Sequence, residues 1–290
     1  MTNLAELSDV TLKYGRLTAL KNVSFALAEG EAVAVLGPNG AGKTSAMKLL
    51  TGLARTRTGK VLLFGKNPQA PGTRRQIGVT PQEAAYPHSL KVREILQFAR
   101  SHYPAPIDQA ELVEAFGLGN ELNRMAMDLS GGQQRKLAVA LAFCGNPRAV
   151  FLDEPTTGID ADSRQAVWQY IEAYKRAGGA IFLTTHYLEE AEYIADRIVL
   201  INQGEIIRSG TVDAVRGVVN VRSVKFSCDT APSLSNARLS HSEGSSHVYL
   251  SADADETVRE LVTAGVKFKD LEVLPASLQD AVTELLRGSA

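Results

Sequence analysis

Three short runs carry almost no polar residue: Ala32–Leu36, 149–152 and Ala180–Thr184. A strand with one wet face alternates apolar and polar side chains, whereas a strand covered on both faces does not. These runs therefore predict strands at the centre of a mostly parallel sheet. A turn and then a stretch of helical spacing follow each run, the βα alternation of an α/β domain. Helices are predicted over 45–53, 90–103, 109–116 and 134–143, with Pro104-Ala105-Pro106 separating the second from the third. The segment from about 85 to 145 thus reads as a helical insert.

Near residue 217 the pattern changes. The remainder reads as strand 221–228, a serine-rich loop over 233–246, strand 248–252, helix 256–264, strand 266–274 and helix 278–287. Val224, Phe226 and Cys228 alternate along the first of these strands. Val258, Leu261 and Val262 share one face of the first helix. Leu278, Ala281, Val282, Leu285 and Leu286 form one apolar stripe on the last. The expectation is an α/β domain over 1–216 followed by a small α+β domain over 217–290.

The chain has 290 residues, 44% apolar and 22% charged, enough to bury a full core. Its 31 basic residues balance 32 acidic ones, so the electrostatic footprint of a nucleic-acid binder is missing and no nucleic-acid partner is expected. The longest uncharged apolar run, 137–144, falls far short of the ~20 residues that span a bilayer. The opening residues lack the basic-then-apolar order of a secretion signal. Cys144 and Cys228 lack metal-site spacing and read as reduced thiols. A soluble, intracellular chain is expected.

Chemistry enters with Gly37-Pro38-Asn39-Gly40-Ala41-Gly42-Lys43-Thr44, which fits G-x-x-x-x-G-K-[ST] between a predicted strand and a predicted helix. Glycines let successive backbone N–H groups curl towards one anion, and the helix N-terminus adds its positive end. Lys43 supplies a point charge for the β- and γ-phosphates, and the Thr44 hydroxyl a ligand for Mg²⁺. The strand 149–152 delivers Asp153 and Glu154 at its tip. Asp153 there suits Mg²⁺, and Glu154 suits the polarisation of an attacking water. Leu129-Ser130-Gly131-Gly132-Gln133 opens a further helix with a Ser cap and two glycines, leaving N–H groups accessible.

The set GPNGAGKT, LSGGQ, FLDEP and LTTHYLEEAE resembles the nucleotide-binding subunits of ATP-binding cassette (ABC) transporters over about residues 4–210. That resemblance implies a phosphate-loop cassette ATPase domain with a helical subdomain, two of which pair head to tail. ATP would lie against Tyr14, Gly37, Asn39, Gly40, Ala41, Gly42, Lys43, Thr44 and Ser45 of one cassette. Ser130, Gly131, Gly132 and Gln133 would come from the other, with Asp160 of the D-loop beside them. Thr44, Gln82 and Asp153 would hold Mg²⁺, and Glu154, His186 and Gln82 would serve hydrolysis. Tyr14 would stack on adenine, although a half-buried strand tyrosine is the alternative. Departures from the family pattern are small: Ser45 for a second Thr, and Ile159 and Ala161 in the D-loop.

The strings DEPTTGIDADSR, THYLEEAEYIADRI and SLQDAVTELL further resemble the ATPase subunits of drug- and antibiotic-resistance exporters, the daunorubicin-resistance-like group. The implied partners are a transmembrane permease subunit and a second cassette, at the cytoplasmic face of the membrane. The segment 83–100 would be the dock for that permease. An importer ATPase with a ligand-sensing tail is the alternative. A cassette acting on ribosomes or DNA is not expected, since only one GKT and one SGGQ occur.

Overall fold

The three apolar runs form central strands of the computed structural model, which describes residues 3–70, 72–82, 85–218 and 221–288. The chain divides into two units, residues 1–209 and 210–290. The first opens with β1 (Asn3–Tyr14) and β2 (Leu17–Ala28), then β3 (Ala32–Leu36), α1 (Lys43–Leu50), β4 (Thr58–Leu63) and β5 (Ile77–Thr80). Three helices follow: α2 (Val92–Arg100), α3 (Gln109–Ala115) and α4 (Gly131–Phe143). The chain then alternates through β6 (Ala149–Asp153), α5 (Ala161–Arg176), β7 (Ala180–Thr184), α6 (Leu188–Ile194), β8 (Arg197–Asn202) and β9 (Glu205–Thr211).

One sheet has the order β5-β6-β7-β3-β8-β9, parallel from β5 through β8. Every residue of β3, β6 and β7 is buried, which is why these strands lack polar alternation. A second, antiparallel sheet, β2-β1-β4, shares one buried core with the first: Leu7, Leu20, Val23 and Leu27 cluster with Val33, Phe151, Phe182 and Leu50 of α1, and the Phe25 and Phe182 rings stack 6.0 Å apart. The sequence reading did not recover this sheet. Register shifts interrupt its twelve-residue strands, and Asp9 and Asn22 take left-handed backbone (φ 51° and 48°) within them, so the period of two is broken.

Helix bounds also moved. Helix α2 starts at Val92 because Leu90 and Lys91 are engaged elsewhere: the Leu90 carbonyl accepts from Ala126 N–H at 3.0 Å, and Lys91 bridges Met125. Its Val92, Ile95 and Leu96 are buried in the insert, whereas Phe98 is exposed. Of the expected docking segment, Glu83 and Ala84 lie outside the described residues. Helix α1 begins at Lys43, two residues earlier than predicted, which puts its first turn inside the glycine-rich loop.

The second unit contains α7 (Val212–Arg216), β10 (Arg222–Ser227), β11 (Ala237–Glu243), β12 (Ser246–Ser251), α8 (Ala254–Thr263), β13 (Lys269–Pro275) and α9 (Leu278–Gly288). Its antiparallel sheet runs β11-β12-β10-β13. Val224, Phe226, Tyr249 and Leu261 form the core, with the Phe226 and Tyr249 rings stacked 5.4 Å apart. The serine-rich segment is only partly a loop, because β11 occupies half of it. An edge strand exposed along almost its whole length needs no apolar alternation, and its Ser and His residues imitate a loop. The strand expected from 266 begins at Lys269, since the Val266 N–H closes the end of α8 on the Leu261 carbonyl. The division between units precedes α7, which packs on α9, rather than following it at 216. Both cysteines are buried free thiols. No helix among the described residues is long and apolar enough to cross a membrane.

Candidate functional site

Strand β3 runs directly into the glycine-rich loop. Gly37 has φ 151°, and a Cβ there would meet the Ile201 carbonyl oxygen at 2.0 Å; at Gly42, φ 112°, a Cβ would meet that of Ala19 at 2.5 Å. Both positions therefore require glycine. Gly42 is the N-cap of α1 and offers no capping side chain, and the first turn carries no acid, so its N–H groups face the loop unneutralised. The Lys43 ammonium crosses the loop and donates to the carbonyls of Gly37 (2.8 Å) and Pro38 (3.0 Å). Burial holds its pKa below the usual lysine value, opposed by the carboxylates of Glu154 and Asp153.

Asp153 ends β6, only 2% exposed. Its carboxylate accepts from the Thr44 hydroxyl at 3.1 Å and from the Thr184 hydroxyl, while its own N–H donates to Thr80 Oγ1 at 2.9 Å. Glu154 takes left-handed backbone, φ 50°, and its N–H donates to the Thr184 carbonyl at 2.8 Å. That turn swings its side chain away from the strand. Glu154 Oε2 accepts from the Thr157 hydroxyl at 3.2 Å and lies 3.2 Å from His186 Nδ1. Residues far apart in the chain are thus joined as a carboxylate–imidazole pair.

A cleft of about 490 Å³ is lined by Tyr14, Leu17, Ala19, Asn39, Gly40, Ala41, Gly42, Lys43, Thr44, Ser45, Gln82 and Glu154. Tyr14 ends β1 at 48% exposure, so it presents a face to this cleft rather than filling the core. The paired Thr44 hydroxyl and Asp153 carboxylate are hard oxygen donors suited to Mg²⁺, which takes one or two protein ligands and completes its shell with phosphate and water.

Ser130, Gly131 and Gly132 line a second cleft, of about 770 Å³, with Gln82, Gln134, Arg135, Glu154, Thr157 and Gly158. None of its lining residues belongs to the phosphate loop. Gly132 approaches Gly158 so closely that a Cβ would meet its carbonyl oxygen at 2.5 Å. Two expected nucleotide contacts do not reach either cleft. Gln133 forms a capping box with Ser130 (3.0 and 3.3 Å) and donates to Glu121 at 2.9 Å. Asp160 caps α5, accepting from the Ser163 N–H at 2.9 Å; that bond, with the Ser163 hydroxyl, holds its carboxyl below the usual range. The polar side chains of both serve helix starts.

Sequence reasoning missed Arg135. Its guanidinium is buried and donates to four backbone carbonyls: Glu154 (3.0 Å), Pro81 (2.7 Å), Gln82 (3.4 Å) and Asp153. One side chain of α4 thereby ties the carboxylate strand to the Gln82 segment. A signal was present: Arg135 shares a helix face with Ala138, Val139 and Ala142, all buried. A charge on an otherwise apolar stripe means a buried partner.

The family described as ABC transporter matches residues 20–157. Doxorubicin resistance ATP-binding protein DrrA of Mycobacterium tuberculosis (strain ATCC 25618 / H37Rv) is 40% identical over 209 residues, covering 70% of this chain and 63% of that protein. The chain thus spans less than two thirds of that relative's length. The daunorubicin/doxorubicin resistance ATP-binding protein DrrA of Streptomyces peucetius is 34% identical over 247 residues, covering 81% of this chain and 74% of that one. Among solved structures, the dimeric post-hydrolysis state of the ATP-binding cassette MJ0796 with ADP and Pi superposes with a TM-score of 0.65 at 25% identity, over 71% of this chain and 98% of that one. With the glycine loop, the paired carboxylates and the signature helix in place, the chain belongs to the ABC transporter family as an ATP-binding cassette.

Proposed function

We propose that this chain is the ATP-hydrolysing subunit of an exporter, driving a small molecule through a separate membrane permease from the cytoplasmic face. The observation that carries the reading is one cleft lined jointly by the phosphate loop, Tyr14, Gln82 and Glu154, with Thr44 against Asp153 at its floor. In it the N–H groups of the loop and of the first turn of α1 bind the phosphates, and Lys43 adds its charge. Tyr14 offers its face to the adenine. Thr44 and Asp153, with Gln82 lining the same cleft, would hold Mg²⁺, which would supply positive charge against the phosphates. Glu154 accepts the proton of the attacking water, and His186, 3.2 Å away, holds that carboxylate in place and reaches the γ-phosphate.

Ser130–Gly132 line a cleft that shares Gln82 and Glu154 with the first but holds no phosphate-loop residue, which supports their service to the nucleotide of a second cassette. The names of the DrrA relatives favour export over import. The second unit, residues 210–290, carries none of the nucleotide motifs and is assigned to assembly with the second cassette or the permease. The test is phosphate release by the purified chain with ATP. Hydrolysis that requires Mg²⁺ and disappears in Lys43→Ala is expected. Hydrolysis unaffected by that substitution would overturn the reading.

A further inference from the structure

Glu190 is a buried carboxylate with no part in the chemistry above. It lies on α6, one turn beyond His186, and has no exposed surface. Its Oε1 accepts from Thr156 Oγ1 at 2.7 Å and from Trp168 Nε1 at 3.0 Å. Oε2 has no hydrogen-bond partner. Burial pushes its carboxyl above the usual range, and the nearby Arg135 guanidinium only partly offsets this. An acid kept inside a protein with one oxygen unsatisfied calls for a physical reason.

The donors supply one. Thr156 sits in the turn that Glu154 opens, and Ile159 N–H donates back to the Thr156 carbonyl at 3.1 Å. Glu190 itself lies four residues after His186, on the helix that continues that segment. Trp168 belongs to α5, the helix into which that turn leads, and stacks on Tyr193 of α6 with ring centres 5.5 Å apart. Around one carboxylate, therefore, converge the segment carrying Glu154 and the segment carrying His186. Glu154 itself stands on left-handed backbone that an unsupported turn would not keep.

We propose that Glu190 is a positioning residue for ATP hydrolysis: as a shared acceptor for Thr156 and Trp168, it holds the turn after β6 against the His186 segment, so that Glu154 and His186 meet. This rests on the assignment of Glu154 and His186 to hydrolysis. The acceptor oxygen, not the negative charge, is what the geometry uses.

The test compares Glu190→Ala, Glu190→Gln, Thr156→Val and Trp168→Phe in the full chain, by steady-state kinetics with MgATP and by thermal melting. Glu190→Ala is expected to lower kcat by about 10- to 100-fold, the scale of a displacement near 1 Å, with KM within about twofold because the phosphate loop is untouched. Glu190→Gln, whose amide oxygen accepts the same bonds, is expected to restore kcat to within about threefold of wild type. Should Glu190→Ala not fold, Thr156→Val and Trp168→Phe each remove one donor and are expected to show the same split in milder form. Ile171→Ala, an apolar truncation in α5, controls for packing: it should lower the melting temperature and leave kcat at assay temperature unchanged. Wild-type kcat in Glu190→Ala, or in both single-donor variants, overturns the proposal. So does a Gln variant as slow as the Ala variant, or a kcat loss in Ile171→Ala equal to that of Glu190→Ala. Failure of the wild-type chain to hydrolyse ATP refutes the assigned function, and this proposal with it, before any variant is compared.

Discussion

Glu154→Gln removes the capacity to accept a proton, together with the negative charge that faces Lys43 and His186. The amide has the size of the carboxylate, and its oxygen can still accept from the Thr157 hydroxyl now 3.2 Å from Oε2. The backbone bond from residue 154 N–H to the Thr184 carbonyl does not involve the side chain, and Lys43, Thr44 and Asp153 keep their contacts. Nucleotide binding should therefore be nearly unchanged. A positioned general base contributes about 10²–10⁴-fold, equivalent to about 2.7–5.4 kcal/mol of barrier at about 1.36 kcal/mol per tenfold. Phosphate release at saturating MgATP should fall by that factor, while equilibrium binding of a fluorescent ATP analogue stays within about twofold. On the proposed function hydrolysis dissolves a nucleotide-bridged pair, so a dimer should accumulate on a sizing column with MgATP. A variant that releases phosphate at the wild-type rate would show that Glu154 is not the base. A variant that no longer binds nucleotide would show that the side chain is structural.

Tyr14→Ala should weaken ATP binding by about 1–3 kcal/mol, the worth of one base–aromatic stack, and Tyr14→Phe should restore it; normal affinity in the Ala variant, read by titration calorimetry, would make Tyr14 a strand-edge aromatic only. Glu190 predicts a pH signature. Its folded-state pKa is raised by burial, so between the ordinary carboxylate value and that raised value the folded state binds more protons than the unfolded state, and stability falls as pH rises through the window. Melting curves should accordingly find Glu190→Gln at least as stable as wild type near pH 7, with any advantage fading towards pH 4–5; a Gln variant less stable at neutral pH than at acid pH, relative to wild type, would contradict the sign. A chain ending at Ser209 should keep ATP affinity, because every nucleotide motif precedes that residue, but pair less well with a second copy in sedimentation; undiminished pairing would leave residues 210–290 without the assembly role assigned to them.

The residues assigned to phosphate were legible because their chemistry is local. Gly37, Gly42, Lys43 and Thr44 act through backbone conformation and a helix start within eight positions, so spacing alone identifies them. Asp153 and Glu154 were legible for a similar reason, as a fully buried strand ending in two acids. Arg135 and Glu190 were not. Each works through partners on other segments, Arg135 on the carbonyls of residues 81, 82, 153 and 154 and Glu190 on Thr156 and Trp168, and helix spacing, which marks Arg135 as buried, does not say which segments it joins. Glu190 was further masked by Glu189 and Glu192, since an acidic cluster on a short helix reads as a solvated face. The antiparallel sheet and β11 were hidden by bulges and by exposure, two ways in which a real strand loses its alternation. Gln133 and Asp160 carry a local duty that motif membership did not report: their side chains cap helices.

Complementation between two inactive chains tests the central claim most directly, that ATP is hydrolysed between the phosphate-loop cleft of one cassette and the Ser130–Gly132 cleft of another. Lys43→Ala disables the first surface and Ser130→Arg the second, and each protein alone should be inactive. In a head-to-tail pair both lesions fall into one site and leave the other whole. An equal mixture should thus regain ATPase activity, up to about a quarter of wild type if chains pair at random. Mixed dimers that form, shown by differential tagging, and yet hydrolyse no ATP would contradict the account.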